Sequence, residues 1–411
     1  MVRLFLFPSP LLASRCGFFA QLGGQAGGVK IAFPLIVMQN SLVLLCAGLL
    51  LSACESAPTS TEASATPSSA ATAPAAPTDT ARGVGHPRLW HTLAPAYNLP
   101  NGMALAPNGA IILSVPNLLD NTSPGVLLEV TDAAVKPFLR NLPAEPTTHK
   151  AAPMELAFGP DGNLYYADNQ HGNDQHFKSR LMRVRMQNGR PGTVEVVVDH
   201  LALANAVVWK GNNIYVTDSQ WDLPGNDAGS AVLAFSLAEL NRGPVHLKPK
   251  TKDPHVLAMF TTKVNETGID NGVDGINYDR QGNLYTGSFG DGTLYKLTLN
   301  PDGTLAKQEA VALRGAKVSC IDGLVVNRQT DQLYFCNPRE NAVQVVNLQD
   351  HTVTTLAQNP DTDGRRGQLD EPAQLLLKDG KLYISNIDLP MKNFVNQRVD
   401  GPATLSVIDV R

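Results

Sequence analysis

Six polar residues stand at the heads of similar short segments: Asn101, Glu155, Asn205, Asp274, Asp322 and Gln374. Three are carboxylates, three are amides, and none is Lys, Arg, His or Cys. Gathered in one narrow site, the carboxylates would repel by up to about 4 kcal/mol per pair at roughly 4 Å and an effective dielectric near 20. Either shared protons offset that repulsion, pushing a carboxyl pKa upward, or a cation sits among the oxygens. Donors that mix carboxylate with amide carbonyl suit a hard divalent ion, Ca²⁺ above all, and disfavour zinc. The plainer alternative is that Asn and Asp merely cap strand starts, as turn residues often do.

Whether the six can meet depends on the elements that carry them. Each heads a recurring unit: four or five mostly apolar residues, a Gly/Asn/Asp turn, then a strand with an Ile-Tyr or Leu-Tyr pair, as in ELAFGPDGNLYYA from Glu155 and DGINYDRQGNLYTG from Asp274. The heads lie 48 to 69 residues apart, and hairpin repeats of about 40 to 50 residues are the signature of β-propeller blades. Asn108-Gly109, Asp161-Gly162, Gln281-Gly282 and Asp379-Gly380 supply the positive φ of tight hairpins. Third strands are expected at 125–130, 180–185, 231–236, 293–298 and 342–347, and fourth strands at 194–198 and 352–356. The sixth repeat has a third strand at 404–410 and no fourth, so residues 88–93 are expected to close the ring and protect its edge. The predicted fold is all-β, one six-bladed propeller over residues 88–411, with the six heads at the mouth of its central channel. Long loops at 168–179, 218–229 and 386–402 would form the rim. His171, His176 and Trp221 lie on them as rim candidates, although a loop histidine is more often a solvated side chain.

Other features narrow the class. The net charge is −4 and no stretch concentrates Lys and Arg, which argues against a nucleic-acid partner. Cys320 and Cys336 fall on neighbouring strands but about three positions out of register, so buried free thiols are expected rather than a disulfide. Residues 31–53 are nearly continuously apolar and end in Leu51-Ser52-Ala53-Cys54, which resembles a bacterial lipobox with Cys54 as the lipidated residue. A plain membrane anchor is the alternative. Residues 1–53 are therefore read as a targeting segment and 54–87 as a disordered Ala/Ser/Thr/Pro tether holding the propeller near a membrane. Residues 1–29 fit neither reading and are expected to precede the true translation start. This places the protein in the bacterial envelope, facing periplasm or cell surface, with membrane contact through the lipid alone. Asn359, Asp361, Asp363 and Asp370 match positions of a calcium loop, but flanking helices are missing and Arg366 replaces an apolar residue, so an acidic inter-blade loop is expected.

Val273-Asp274-Gly275 with Gly282-Asn283-Leu284-Tyr285, and Ile321-Asp322-Gly323, resemble the senescence marker protein/gluconolactonase family, which includes regucalcin, and more distantly paraoxonases and diisopropyl fluorophosphatase. The likeness extends as a repeat pattern over most of residues 88–411. It implies a six-bladed propeller that holds a divalent ion and hydrolyses lactones or related esters, with Asn205, Asp274 and Asp322 matching the family's Asn/Asp ligands. Two positions depart: Asn101 stands where the family usually has Glu, and Glu155 occupies a blade that often gives no ligand. Glu155 then either replaces the missing ligand or, like Asp322, acts as general base beside the metal. Competing readings are a non-catalytic propeller that binds a ligand or partner and a metal-free strictosidine-synthase-like enzyme or lyase. The sequence leaves the substrate and oligomeric state open.

Overall fold

The computed structural model describes residues 85–119 and 123–410. The apolar segment, Cys54 and most of the linker lie outside the described residues. Among the described residues there are six sheets, each built on four antiparallel strands. Blade 1 runs through Met103–Leu105, Ile111–Val115, Val126–Thr131 and Ala134–Leu139. Blade 2 uses Pro153–Phe158, Leu164–Asp168, Ser179–Gln187 and Arg190–Leu201. In blade 3 the strands are Ala204–Lys210, Asn213–Asp218, Gly229–Ser236 and Val256–Thr261. Blade 4 comprises Val273–Tyr278, Leu284–Ser288, Leu294–Leu299 and Leu305–Ala310. Blade 5 comprises Leu324–Asn327, Gln332–Asn337, Ala342–Asn347 and Thr352–Gln358. Pro372–Lys378, Lys381–Asn386 and Thr404–Asp409 begin blade 6, and Arg88–Thr92 completes it by pairing with Thr404–Asp409.

The first strands touch one another in the cyclic order of blades 1 to 6 and back to 1, which makes them the inner wall of a closed ring. Side-chain alternation explains why the ring is stable. In Ile111–Val115, residues 111, 113 and 115 pack with blade 6, whereas Ile112 packs with blade 2. Tyr165 likewise faces blade 3 while Tyr166 faces blade 1. Each second strand therefore buries both faces, and one apolar cluster fills each of the six gaps between neighbouring blades. The recurring Asn-Leu-Tyr has a specific cause. Asn163 Nδ2 and Tyr165 Oη both donate to Asp161 Oδ2 at 2.8 Å, and Asn283 Nδ2 and Tyr285 Oη do the same to Asp279 Oδ2 at 2.8 and 3.4 Å. A turn aspartate thus pins its own hairpin.

Two short parallel strands add to the sequence expectation: Val245–His246 on blade 2 and Arg314–Gly315 on blade 5. Helix is confined to Leu237–Leu240, capped by Ser236, and a 3₁₀ turn at Pro338–Glu340 among the described residues. Cys320 and Cys336 are free and buried.

Candidate functional site

Four of the six head residues sit where an inner strand is locally irregular, and Asn101 and Asp322 stand two residues ahead of theirs. β-Bulges interrupt the first hairpin around Glu155, Asn205, Asp274 and Gln374, and a bulge re-aims the side chain it carries. Hydroxyls hold the irregular backbone in place. Ser114 Oγ and Thr217 Oγ1 accept from the Gly102 and Ala206 amides at 2.8 Å. Ser219 Oγ donates across to Val273 O of the next blade at 2.7 Å, and Ser385 Oγ to Asn101 O at 2.6 Å. Glycine after the head is a packing requirement in three blades. A Cβ on Gly102 would lie 2.4 Å from Glu155 Cα, one on Gly275 2.5 Å from Asp322 O, and one on Gly323 2.6 Å from Ala373 O. Adjacent inner strands can approach this closely only without those side chains.

The structure brings Glu155, Asn205, Asp274 and Asp322 into one electrostatic group, with Asn101 just ahead of the first strand of blade 1 and Gln374 on that of blade 6. Asn205 Nδ2 donates to Asp274 Oδ2 at 2.5 Å. Asp274 and Asp322 share a hydrogen bond. Burial pushes the Asp274 carboxyl up to about 7, while the hydrogen bond from Asp322 works the other way. Asp322 is raised well above the carboxylate range by burial first and then by the charge of Asp274. One proton held between the two carboxyls would relieve their repulsion, and Asp274 also accepts from Asn205. Glu155 is also pushed well up, by burial and then by Asp274, and its Oε2 is buried without a hydrogen-bond partner. Gln374 is engaged locally, its Oε1 accepting from the Leu375 amide at 2.7 Å.

A further carboxyl, Glu371, joins from the start of blade 6. It is 1% exposed, its Oε2 has no partner, and burial followed by Asp388 and Asp370 raises it well above its usual range. Its charge also raises Asp322. The acids thus form an arc from Glu155 in blade 2 through Asp274, Asp322 and Glu371 to Asp388, and no ion pair among the described residues reaches Glu155, Asp274, Asp322 or Glu371. Sequence reading missed Glu371, three residues ahead of a head amide. Its signal was an acidic pair, Asp370-Glu371, directly before the strand. The calcium-like loop is likewise part of the arc: Asn396 Nδ2 donates to Asp370 Oδ1 at 2.7 Å, and Asp370 and Asp388 are raised by burial to about 7 and about 8.

These donors fit a divalent cation in type. They are oxygens of carboxylates and amides, and one carboxylate oxygen, Glu155 Oε2, is orphaned. The ligand oxygens of Glu155, Asp274 and Asp322 do not all fall within 4.8 Å of one another, so an ion would draw on the Asn205 and Asn101 amides as well.

The rim candidates separate. His171 is half-buried with an unpartnered Nδ1, and burial lowers its pKa against the pull of Asp270. His176 is exposed and bonded to Asp174 at 2.6 Å. Trp221 does not line the rim: it is fully buried in the cluster between blades 2 and 3, with Nε1 donating to Thr251 O at 3.3 Å. A large apolar ring in a loop was drawn into the core because its neighbours there are apolar. The clefts lined by Asn213, Tyr215 and His255, and by Asp279, Gln281 and Lys296, contain none of the head residues.

No protein-family profile matches the sequence, and no curated protein matches it. Solved structures do share the fold. A gluconolactonase from Xanthomonas campestris superposes with a TM-score of 0.50 at 14% identity, covering 82% of this chain and 99% of that one. The PQQ-bound aldose sugar dehydrogenase from Streptomyces coelicolor gives 0.50 at 12% identity, covering 81% and 100%. The resemblance to gluconolactonases is thus present at the level of the propeller, which is also home to sugar-oxidising enzymes.

Proposed function

We propose that the protein is an envelope-tethered hydrolase of lactones or related esters whose channel acids hold a divalent cation, calcium in the first instance. The observation that carries this reading is the buried arc of carboxyls with no basic partner, in which Glu155 Oε2 is left unpaired. Asp274, Asp322 and Asn205 would hold the ion, with Asn101 and Glu155 at its margin. When bound, such an ion polarises a substrate carbonyl and stabilises the oxyanion that develops on it. Glu155 is the better placed general base, because Asp322 would be engaged with the ion while one Glu155 oxygen has no partner, and the ion's charge would favour the ionised form that a base needs. It takes a proton from water as the water oxygen adds to the carbonyl carbon, and that proton then passes to the ring oxygen as the acyl C–O bond breaks. The Xanthomonas gluconolactonase is consistent with this chemistry on the same fold.

A panel of lactones and aryl esters, assayed with calcium and with chelator, tests the proposal. Turnover of at least one lactone should collapse on chelation, and Glu155→Gln should lower kcat by about 100-fold or more. Chelator-insensitive turnover would favour the metal-free reading, in which the proton shared by Asp322 and Asp274 alone relieves the repulsion. Absence of turnover across the panel, with calcium bound, would favour a ligand-binding propeller.

A further inference from the structure

At the outer edge of blade 2, remote in chemistry from the oxygen-only ring, two imidazoles converge on one carboxylate. Asp199 lies near the end of Arg190–Leu201. In a regular strand its neighbour His200 would point to the opposite face. His200 instead adopts φ 64°, the left-handed region that non-glycine residues seldom occupy, and its Nδ1 comes to 2.7 Å from Asp199 Oδ1. His246 arrives from a different segment. The parallel strand Val245–His246 sets it directly opposite Asp199, with Nδ1 2.8 Å from Oδ2. The two rings stand 6.3 Å apart between centroids. One ligand atom from each residue lies within 4.8 Å of the other two, a condition that no other trio of His, Cys, Asp or Glu meets among the described residues. Elsewhere a histidine meets carboxylates alone: His176 contacts Asp174, and His255 sits between Asp253 and Glu239.

We propose that Asp199, His200 and His246 form a binding site for a borderline d-block divalent ion, with zinc as its type. Two imidazole nitrogens and one carboxylate oxygen are the donors such ions take, and calcium does not select nitrogen. Around a tetrahedral zinc the ligand atoms sit about 3.3 Å apart, so the present spacing needs only side-chain rotation. Both Nδ1 atoms now face the carboxylate. On binding, each neutral ring carries its proton on Nε2, the Nδ1 lone pairs and the Asp199 carboxylate bind the ion, and water fills the fourth position. The ion would also have a mechanical effect. His246 belongs to the connection between the third and fourth strands of blade 3, whereas Asp199 and His200 belong to blade 2, so the metal would staple a two-residue ladder across a blade boundary.

The test uses the full chain, freed of metal with chelator and desalted. Zinc is titrated calorimetrically, and cobalt(II) is followed by its visible absorption. One zinc equivalent should bind and raise the melting temperature, and cobalt should give a tetrahedral d–d spectrum. His246→Ala, His200→Ala and Asp199→Asn should each weaken zinc by about 100-fold and abolish the thermal shift, and His176→Ala should change neither. Calcium binding should be unaffected by all four. Zinc affinity that is absent in the wild type, or insensitive to the three site substitutions, would overturn the proposal.

Discussion

Replacing Asp274 by Asn isolates the electrostatics of the channel. A carboxyl whose value is raised in the folded chain binds its proton more tightly there than when unfolded. Its stabilising contribution is therefore complete below the ordinary 3.8 and is lost as pH climbs through about 7. At 1.36 kcal/mol per pH unit, that loss amounts to about 4 kcal/mol by pH 8 in the absence of metal. For a domain of this length one kcal/mol corresponds to about 1.5 °C in Tm, so the loss is worth about 6 °C. Asp274→Asn keeps an oxygen to accept from Asp322 and removes the charge. In chelator, about 1 to 2 kcal/mol of that loss has already occurred by pH 5, so the variant's advantage in Tm should widen by about 4 °C between pH 5 and pH 8. Calcium at about 100 times its Kd should then raise wild type by about 2.7 kcal/mol, or about 4 °C, and raise the variant far less. Thermal melts at the two pH values, with and without calcium, decide the matter. Parallel pH profiles in chelator would refute the charge assignment at Asp274, and equal calcium shifts would refute its role as a ligand.

Gly323→Ala places a Cβ 2.6 Å from Ala373 O and should destabilise by about 1–3 kcal/mol, read by urea denaturation. Deleting residues 1–87 should leave Tm within about 2 °C, whereas deleting through Leu93 exposes the edge of Thr404–Asp409 and should lower it by more than about 10 °C. Cys54→Ala should move the protein from the detergent-extracted membrane fraction to the soluble or uncleaved one.

The ring was legible because propeller strands write both faces into the sequence. Each Leu-Tyr or Ile-Tyr pair sends one residue into each neighbouring gap, and the turn glycines sit at positive φ, as at Gly109 and Gly162. Closure by Arg88–Thr92 followed from counting strands. The head residues were legible because their position relative to the hairpin repeats. What could not be read was anything set by contacts between distant segments. Glu371 belongs to the arc through its approach to Asp322 and Asp388, His246 meets Asp199 through a parallel ladder formed by an inter-strand connection, and Trp221 leaves its loop for the core. None of these has a local periodicity to announce it.

The same fold also supplies an internal control for the meaning of a buried carboxylate. Asp168 and Asp218 stand at the ends of second strands and are fully buried. Asp168 is held by Arg180 at 2.5 Å and by the Ala152 amide at 2.7 Å. Asp218 accepts from the amides of Ala202, Leu203 and Gln220 at 2.7 to 3.1 Å. These two aspartates clamp the backbone just ahead of an inner strand; burial still raises both, against the donors that the chain brings to them. Near the channel, Glu155 and Glu371 each keep one oxygen with no partner, and Asp322 and Asp274 share a hydrogen bond with each other. An unanswered buried charge is costly, and the neighbouring blades provide the means to satisfy one. Among the described residues no Lys or Arg forms an ion pair with the channel acids as Arg180 does with Asp168, and that contrast supports the proposal that they serve a ligand rather than the scaffold.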